Sequence, residues 1–338
     1  MTAQWQTELA DAVRDPAELL RMLELDPALL AGARAAGKQF PLLVPRAFIA
    51  RMRKGDPADP LLRQVLPLAT ELESPSGFSH DPVGDLASRA APGVLHKYHG
   101  RVLLITTGAC GVHCRYCFRR HFPYADESAR QADWHAALEY LRADASVHEV
   151  ILSGGDPLSL NDRMLAHLVA ALEQIPHITR LRIHTRQPIV LPSRVDNALL
   201  AWLKKCRLQK IVVLHVNHAH ELDAAVIAAL SRLRAAGLTL LNQSVLLRGV
   251  NDSVAELAAL SEALFAAGVI PYYLNLLDRV QGAAHFEVSE EQAGVLIQGL
   301  RTRLPGYLVP RLVREIPGAA SKVPLMDMPA RASTSNTL

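Results

Sequence analysis

The chain has 338 residues, half of them hydrophobic and 20% charged, so it carries apolar material for a sizeable core and is not expected to be disordered. At roughly 150 residues per domain, its length suits two domains or one large α/β unit. A formal charge of +3, with the basic residues dispersed, gives no ground for nucleic acid as a partner. No apolar run approaches the ~18 residues of a membrane span. The N-terminus Met1-Thr2-Ala3-Gln4-Trp5 has no basic segment leading into an apolar one, so the expected location is the cytoplasm, with no membrane contact.

In chain order, residues 1–95 read as short helices punctuated by proline. Asp15-Pro16 and Asp26-Pro27 each place a capping residue before proline at a first helical position, where its missing N–H costs nothing. The stretch 73–93 turns to Ser, Pro, Gly and Asp and reads as a linker or lid. From about residue 100, short β-branched runs at 102–106, 149–152, 180–184, 211–216, 238–243 and 270–274 alternate with helical patterns near 133–143, 162–174, 195–206, 221–236 and 253–267, and a further pattern at 289–303 follows the last strand. Ser253/Glu256 and Ser289/Gln292 have capping-box spacing, and Val254, Leu257, Leu260 and Leu264 share one helical face. Strand–helix alternation of this kind predicts a parallel sheet with right-handed crossovers. Six units are too few for a closed eight-fold barrel, so the expected fold is α/β, a partial (β/α)6 barrel with functional groups at the C-terminal strand ends. The tail through Ala330-Arg331-Ala332-Ser333-Thr334-Ser335 reads as frayed.

Of the four cysteines, Cys110, Cys114 and Cys117 fall within eight residues directly after the first strand of that series, and Cys206 sits alone on a helix as a small buried residue. A disulfide framework would use more cysteines, more widely spread. Three thiolates on one short loop can each hold one iron of a [4Fe–4S] cube and leave the fourth iron open to a cofactor. Cys114 and Cys117 alone could instead form a redox dithiol, and His113 or His121 could complete a zinc site, though the second cysteine knuckle that structural zinc usually needs is missing. The Ser153-Gly154-Gly155-Asp156 turn after the second strand would let backbone approach a ligand closely. His215, His218 and His220 invite a metal reading, but their place at a strand end favours packing around a cofactor pocket.

The C-x3-C-x2-C spacing resembles the radical S-adenosylmethionine (SAM) superfamily. The wider series is similar to the lysine 2,3-aminomutase family over roughly 95–325: Leu95-His96-Lys97-Tyr98, Phe118-Arg119-Arg120-His121-Phe122, Asn242-Gln243-Ser244, Pro271-Tyr272-Tyr273, Asp278, His285-Phe286 and Gly318-Ala319-Ala320-Ser321-Lys322. The phrases around Val44-Pro45-Arg46 and Asp59–Val65 fit as well, and the family carries a similar His-x-Asn-His phrase without a metal. The resemblance implies a [4Fe–4S] cluster on Cys110, Cys114 and Cys117, SAM beside Ser153, Gly154, Gly155, Asp156 and Gln243, and pyridoxal phosphate (PLP) carried on Lys322 among Lys97, Tyr98 and Arg101. It also implies that Arg119 clamps the carboxylate of an L-lysine substrate, while Asp278 and Glu315 read its ε-ammonium. Before the lysine the family has a run of glycines, and free-lysine mutases have aspartate where this chain has Glu315.

The activity implied is conversion of (S)-α-lysine to (R)-β-lysine, with the cofactors supplying the radical chemistry that an unactivated C3 hydrogen demands. Expected regions are an N-terminal helical part at 1–95, the barrel at 96–288 and a C-terminal helix with the PLP lysine at 289–338. Within the family, the Arg119–Tyr124 phrase, the Asp278–Phe286 phrase and a chain ending soon after Lys322 resemble the branch whose product modifies elongation factor P through a separate ligase. An electron-donor protein is a further implied partner. The alternatives are a free-lysine mutase of catabolism or osmolyte synthesis, a glutamate mutase (disfavoured by Asp278), and a non-catalytic iron–sulfur or zinc module.

Overall fold

Six apolar runs become six neighbouring strands of one sheet. The computed structural model describes residues 2–125 and 134–325; the tail expected to fray lies outside the described residues. Five short helices open the chain: α1 Gln4–Ala10, α2 Pro16–Met22, α3 Leu29–Gln39, α4 Arg46–Ile49 and α5 Pro60–Arg63. Asp15 caps α2 by accepting from the Ala17 N–H at 3.0 Å, with Pro16 at the first helical position. Asp26-Pro27 instead makes a turn: Asp26 accepts from Ala28 N–H, and α3 begins two residues after the proline, at Leu29. Trp5, Leu19, Phe48, Leu61 and Leu62 bury their side chains together in a core that also takes in Val112 from the cysteine loop.

Among the described residues the sheet has ten strands in chain order: β1 Arg89–Ala91, β2 Val94–Tyr98, β3 Arg101–Thr107, β4 Glu149–Gly154, β5 Arg180–Thr185, β6 Gln209–Leu214, β7 Thr239–Val245, β8 Ile270–Asn275, β9 Arg311–Arg314 and β10 Val323–Pro324. The strands β3 to β9 run parallel, and antiparallel pairs close both edges. This is a partial barrel. The six expected strands are β3 to β8. Beyond expectation, the short strand β9 extends the parallel run, and the β1–β2 hairpin precedes it.

The helices α6 His135–Ala143, α7 Asp162–Glu173, α8 Gln187–Val190, α9 Asn197–Lys205, α10 Ala224–Ala235, α11 Val254–Ala266 and α12 Glu290–Arg301 connect successive strands from β3 to β9. Ser253 and Ser289 cap α11 and α12 as their spacing foretold. Leu257, Leu260 and Leu264 turn one face of α11 inward. Among the described residues, no helix is long and apolar enough to cross a membrane.

Candidate active site

The cysteine loop begins where β3 ends, and its position is held from two sides. From the N-terminal helices, the carbonyls of Leu43 and Gln64 accept from the N–H groups of His113 (3.0 Å) and Arg115 (2.9 Å). Arg115 and Arg120, which flank Cys117, both reach the buried carboxylate of Glu71, and both guanidinium groups lie over the Phe40 ring. From the sheet, the glycine turn after β4 is sewn to the loop: Gly155 N–H donates to Thr107 (2.7 Å), Asp156 N–H to Ala109 (2.8 Å), and the Tyr124 hydroxyl to the Gly154 carbonyl (2.8 Å). A Cβ on Gly155 would lie 2.4 Å from the Ala109 oxygen, so only glycine allows this approach. Asp156 uses its carboxylate within the protein, accepting from the Thr185 hydroxyl and from the N–H groups of Leu158, Arg186 and Gln187. It fixes the tip of β4 to β5 from the rear of the turn.

All three loop cysteines are free thiols and half-buried, while Cys206 is buried as expected. Burial raises the Cys110 thiol well above its ordinary range and pushes Cys117 up to about 11, so metal binding must displace protons there. His113 points Nδ1 at the Pro41 carbonyl (2.8 Å), and His121 stacks on His80. Among the described residues, no three His, Cys, Asp or Glu side chains gather around one point as a single ion requires. Three thiols from one short loop are the donor set of a cubane with one thiolate per iron, so these residues fit a [4Fe–4S] cluster.

Beside the loop, reaching from strand residues such as Leu103, Ile151, Arg182 and Tyr273 to Arg119, Asp278 and Glu315 beyond the strand ends, lies a cavity of about 280 Å³. It brings together Lys97, Tyr98, Arg101, Arg119, Gln243, Asp278, Glu315 and Lys322, eight residues singled out in the sequence. A chain of alternating charge crosses it. Arg119 Nε lies 2.6 Å from Asp85, Asp85 lies 2.7 Å from Lys97 Nζ, Lys97 is 3.7 Å from Glu315, and Glu315 is 3.0 Å from Lys322 Nζ. Lys322 also donates to Asn275 at 2.9 Å, and Tyr98 donates its hydroxyl to Glu315 at 2.5 Å. Burial opposes ionisation of Glu315, but Lys322, Tyr98 and Lys97 outweigh it and hold the carboxyl below its usual range. The balance differs at Asp278, where burial dominates over Lys322 and pushes the carboxyl up to about 7.

Two buried imidazole nitrogens, Nε2 of His184 and Nε2 of His215, have no partner. Burial keeps both rings neutral, with His215 lowered to about 4. These orphaned polar atoms, at the C-terminal ends of β5 and β6, fit a polar cofactor such as SAM. The tyrosine pair Tyr272 and Tyr273 (centroids 3.8 Å apart) and Arg101 over the Tyr98 ring (4.6 Å) give a flat, cationic wall that fits PLP.

The three histidines do not act as one group. His218 and His220 line a separate hollow with Arg53 and Glu256, and His218 Nδ1 accepts from His220 N–H. Sequence reasoning missed Asp85, Arg182, His184 and a role for Tyr272 and Tyr273 in the cavity wall. His184 could have been found, because it stands near the C-terminal end of a parallel strand. Asp85 carries no such signal.

A partial barrel with three thiols after its first parallel strand defines a class: residues 104–260 match the family described as Radical SAM superfamily, whose members use a [4Fe–4S] cluster and SAM. Several relatives match nearly the whole chain, among them three named L-lysine 2,3-aminomutase. The Escherichia coli (strain K12) protein is 55% identical, over 95% of this chain and 94% of its own length. That of Haemophilus influenzae is 46% identical, over 94% of each, and that of Buchnera aphidicola is 44% identical, again over 94% of each. The chain belongs to the lysine 2,3-aminomutase family of radical SAM enzymes and is an isomerase.

Proposed function

We propose that this enzyme moves the α-amino group of (S)-α-lysine to C3, giving (R)-β-lysine, with PLP carried on Lys322 as the third cofactor. The observation that carries the reading is the gathering of Lys322, Asp278, Glu315 and Arg119 around one cavity beside the cysteine loop. When bound, the cluster and SAM supply a radical able to take an unactivated hydrogen, and PLP supplies the carrier for the migrating nitrogen. The protein's part is placement. Cys110, Cys114 and Cys117 hold the cluster; Ser153, the Gly154-Gly155 turn and Gln243 border SAM, with Asp156 bracing that turn from behind. Lys97, Tyr98 and Arg101 surround PLP, and Arg119 faces the substrate carboxylate. Asp278 and Glu315 supply two carboxylates for the ε-ammonium, and buried walls keep water from a reactive centre.

Anaerobic incubation of reconstituted protein with SAM, PLP, dithionite and isotopically labelled lysine tests this. Formation of labelled 3,6-diaminohexanoate is expected; unchanged lysine with all cofactors bound refutes it. The finer assignment, that the β-lysine modifies elongation factor P, rests on the phrases Arg119–Tyr124 and Asp278–Phe286. It predicts that cells lacking this chain carry elongation factor P without the lysyl-derived mass. The same assignment places the enzyme in the cytoplasm, served by an electron-donor protein. The chain would divide into a helical part at 1–95, a barrel at 96–288 and the PLP-lysine segment at 289–338.

A further inference from the structure

The segment 215–221 that yields no metal site has another use. Asn217 and Glu221 are buried (1% and 0% exposed), and both belong to a polar knot centred on Arg186, the residue after β5. Arg186 Nη2 donates to Gln64 (2.6 Å) and Glu221 (2.9 Å). Its Nη1 donates to the Tyr116 hydroxyl oxygen (2.6 Å) and to the sulfur of Cys114 (2.8 Å). Other contacts in the knot fix the partners of this guanidinium. Glu221 is itself fixed by the N–H groups of Asn217 and His218, and Gln64 and Tyr116 both accept from the Asn217 amide. The Tyr116 oxygen thus accepts twice, from Arg186 and from Asn217, and helps to hold the guanidinium in place.

We propose that Arg186 is a positioning residue that sets the reduction potential of the iron–sulfur cluster through Cys114, with Tyr116 bracing the same guanidinium; this rests on the reading of the three cysteines as cluster ligands. On reduction, an external one-electron donor is oxidised and the cluster gains one electron; no bond breaks and no proton moves. The added negative charge spreads onto the thiolate sulfurs. A charged N–H aimed at one of them stabilises the reduced state more than the oxidised one and raises the potential. Burial amplifies the effect, because water screens little of that charge. Residues distant in sequence (Gln64, Arg186, Asn217 and Glu221) thereby act on the electron-accepting step without touching substrate.

Removing Arg186 alone would strand a buried carboxylate, so the test variant is Arg186→Gln with Glu221→Gln, reconstituted anaerobically as full-length protein. It is expected to keep its iron while its midpoint potential falls by the equivalent of about tenfold in the reduction equilibrium, about 59 mV for one electron. Arg186→Lys should recover part of the shift. An unchanged potential at native iron content overturns the proposal. Should the variants fail to fold, wild-type protein labelled with ¹⁵N-guanidino arginine decides the matter: pulsed EPR of the reduced cluster should show an arginine ¹⁵N coupling, and its absence is a refutation. If wild-type protein takes up no cluster at all, the cysteine reading has failed, and the missing iron shows this before any variant is compared.

Discussion

Glu315 places Oε2 3.0 Å from the Nζ of Lys322, seven residues further along the chain, across the turn that joins β9 to β10. The carboxylate is thus already ionised and pointed into the cavity while Lys322 is its counter-charge. On the proposed reading, this carboxylate would face the ammonium of a lysine substrate. Lys322→Ala is expected to abolish the absorbance of bound PLP and leave the iron–sulfur absorption intact. Cys114→Ala is expected to do the reverse. Absorption spectra of both variants, with iron and PLP content, check the separation; loss of both chromophores in either one contradicts it.

Asp278 should impart a pH dependence. Burial raises its carboxyl to about 7, so in the free enzyme it is neutral below that pH and anionic above it. A neutral acid attracts an ε-ammonium weakly, and kcat/KM reports the free enzyme's ionisations. We expect kcat/KM for lysine to rise about tenfold per pH unit below pH 7 and to level off above it. Asp278→Asn should flatten that limb and lower kcat/KM at pH 8 by at least tenfold. A wild-type limb centred near pH 4 would refute the assignment.

Much of this site was legible because local pattern and tertiary role agree. The strands β3 to β8 carry short apolar and β-branched runs, and the cysteine spacing carries its chemistry in eight residues. Lys322 was different: a lone lysine has no local signature, and only the resemblance singled it out. Asp85 had no signal, lying in a Ser-Pro-Gly-Asp stretch without periodicity, yet it is 2% exposed between Lys97 and Arg119. The β9 strand escaped because four residues with arginine at both ends do not read as a buried run. The Arg186 knot joins positions up to 157 residues apart, a separation that no window along the chain can span.

Glu71 is expected to govern stability. Its carboxylate is 2% exposed and binds both Arg115 and Arg120, so Glu71→Ala leaves two buried guanidinium groups without their anion. Loss of one partner from a buried ion pair costs about 3–5 kcal/mol. Urea unfolding of the metal-free variant should show a drop of that size. Cluster reconstitution should also slow, because the two arginines flank Cys117. A change under about 1 kcal/mol would mean that Phe40 and the loop backbone suffice to hold the arginines.

Two glycine-to-alanine changes should have opposite signs. Gly294 lies within α12, where an added Cβ meets nothing within 4 Å, so Gly294→Ala removes a flexible residue from a helix and should stabilise by up to about 1 kcal/mol. Gly155 faces backbone at 2.4 and 2.8 Å (the Ala109 oxygen and the Gly108 carbonyl), atoms that cannot rotate aside. Gly155→Ala must therefore push the glycine turn away from the cysteine loop, at a cost of about 1–3 kcal/mol. Because the turn and the loop are sewn together by the Thr107 and Ala109 carbonyls, that shift should weaken SAM binding more than it lowers the melting temperature. Calorimetric titration of SAM into the reconstituted variant, set beside its thermal unfolding, separates the two effects. Native SAM affinity in Gly155→Ala would show that the close approach serves packing alone.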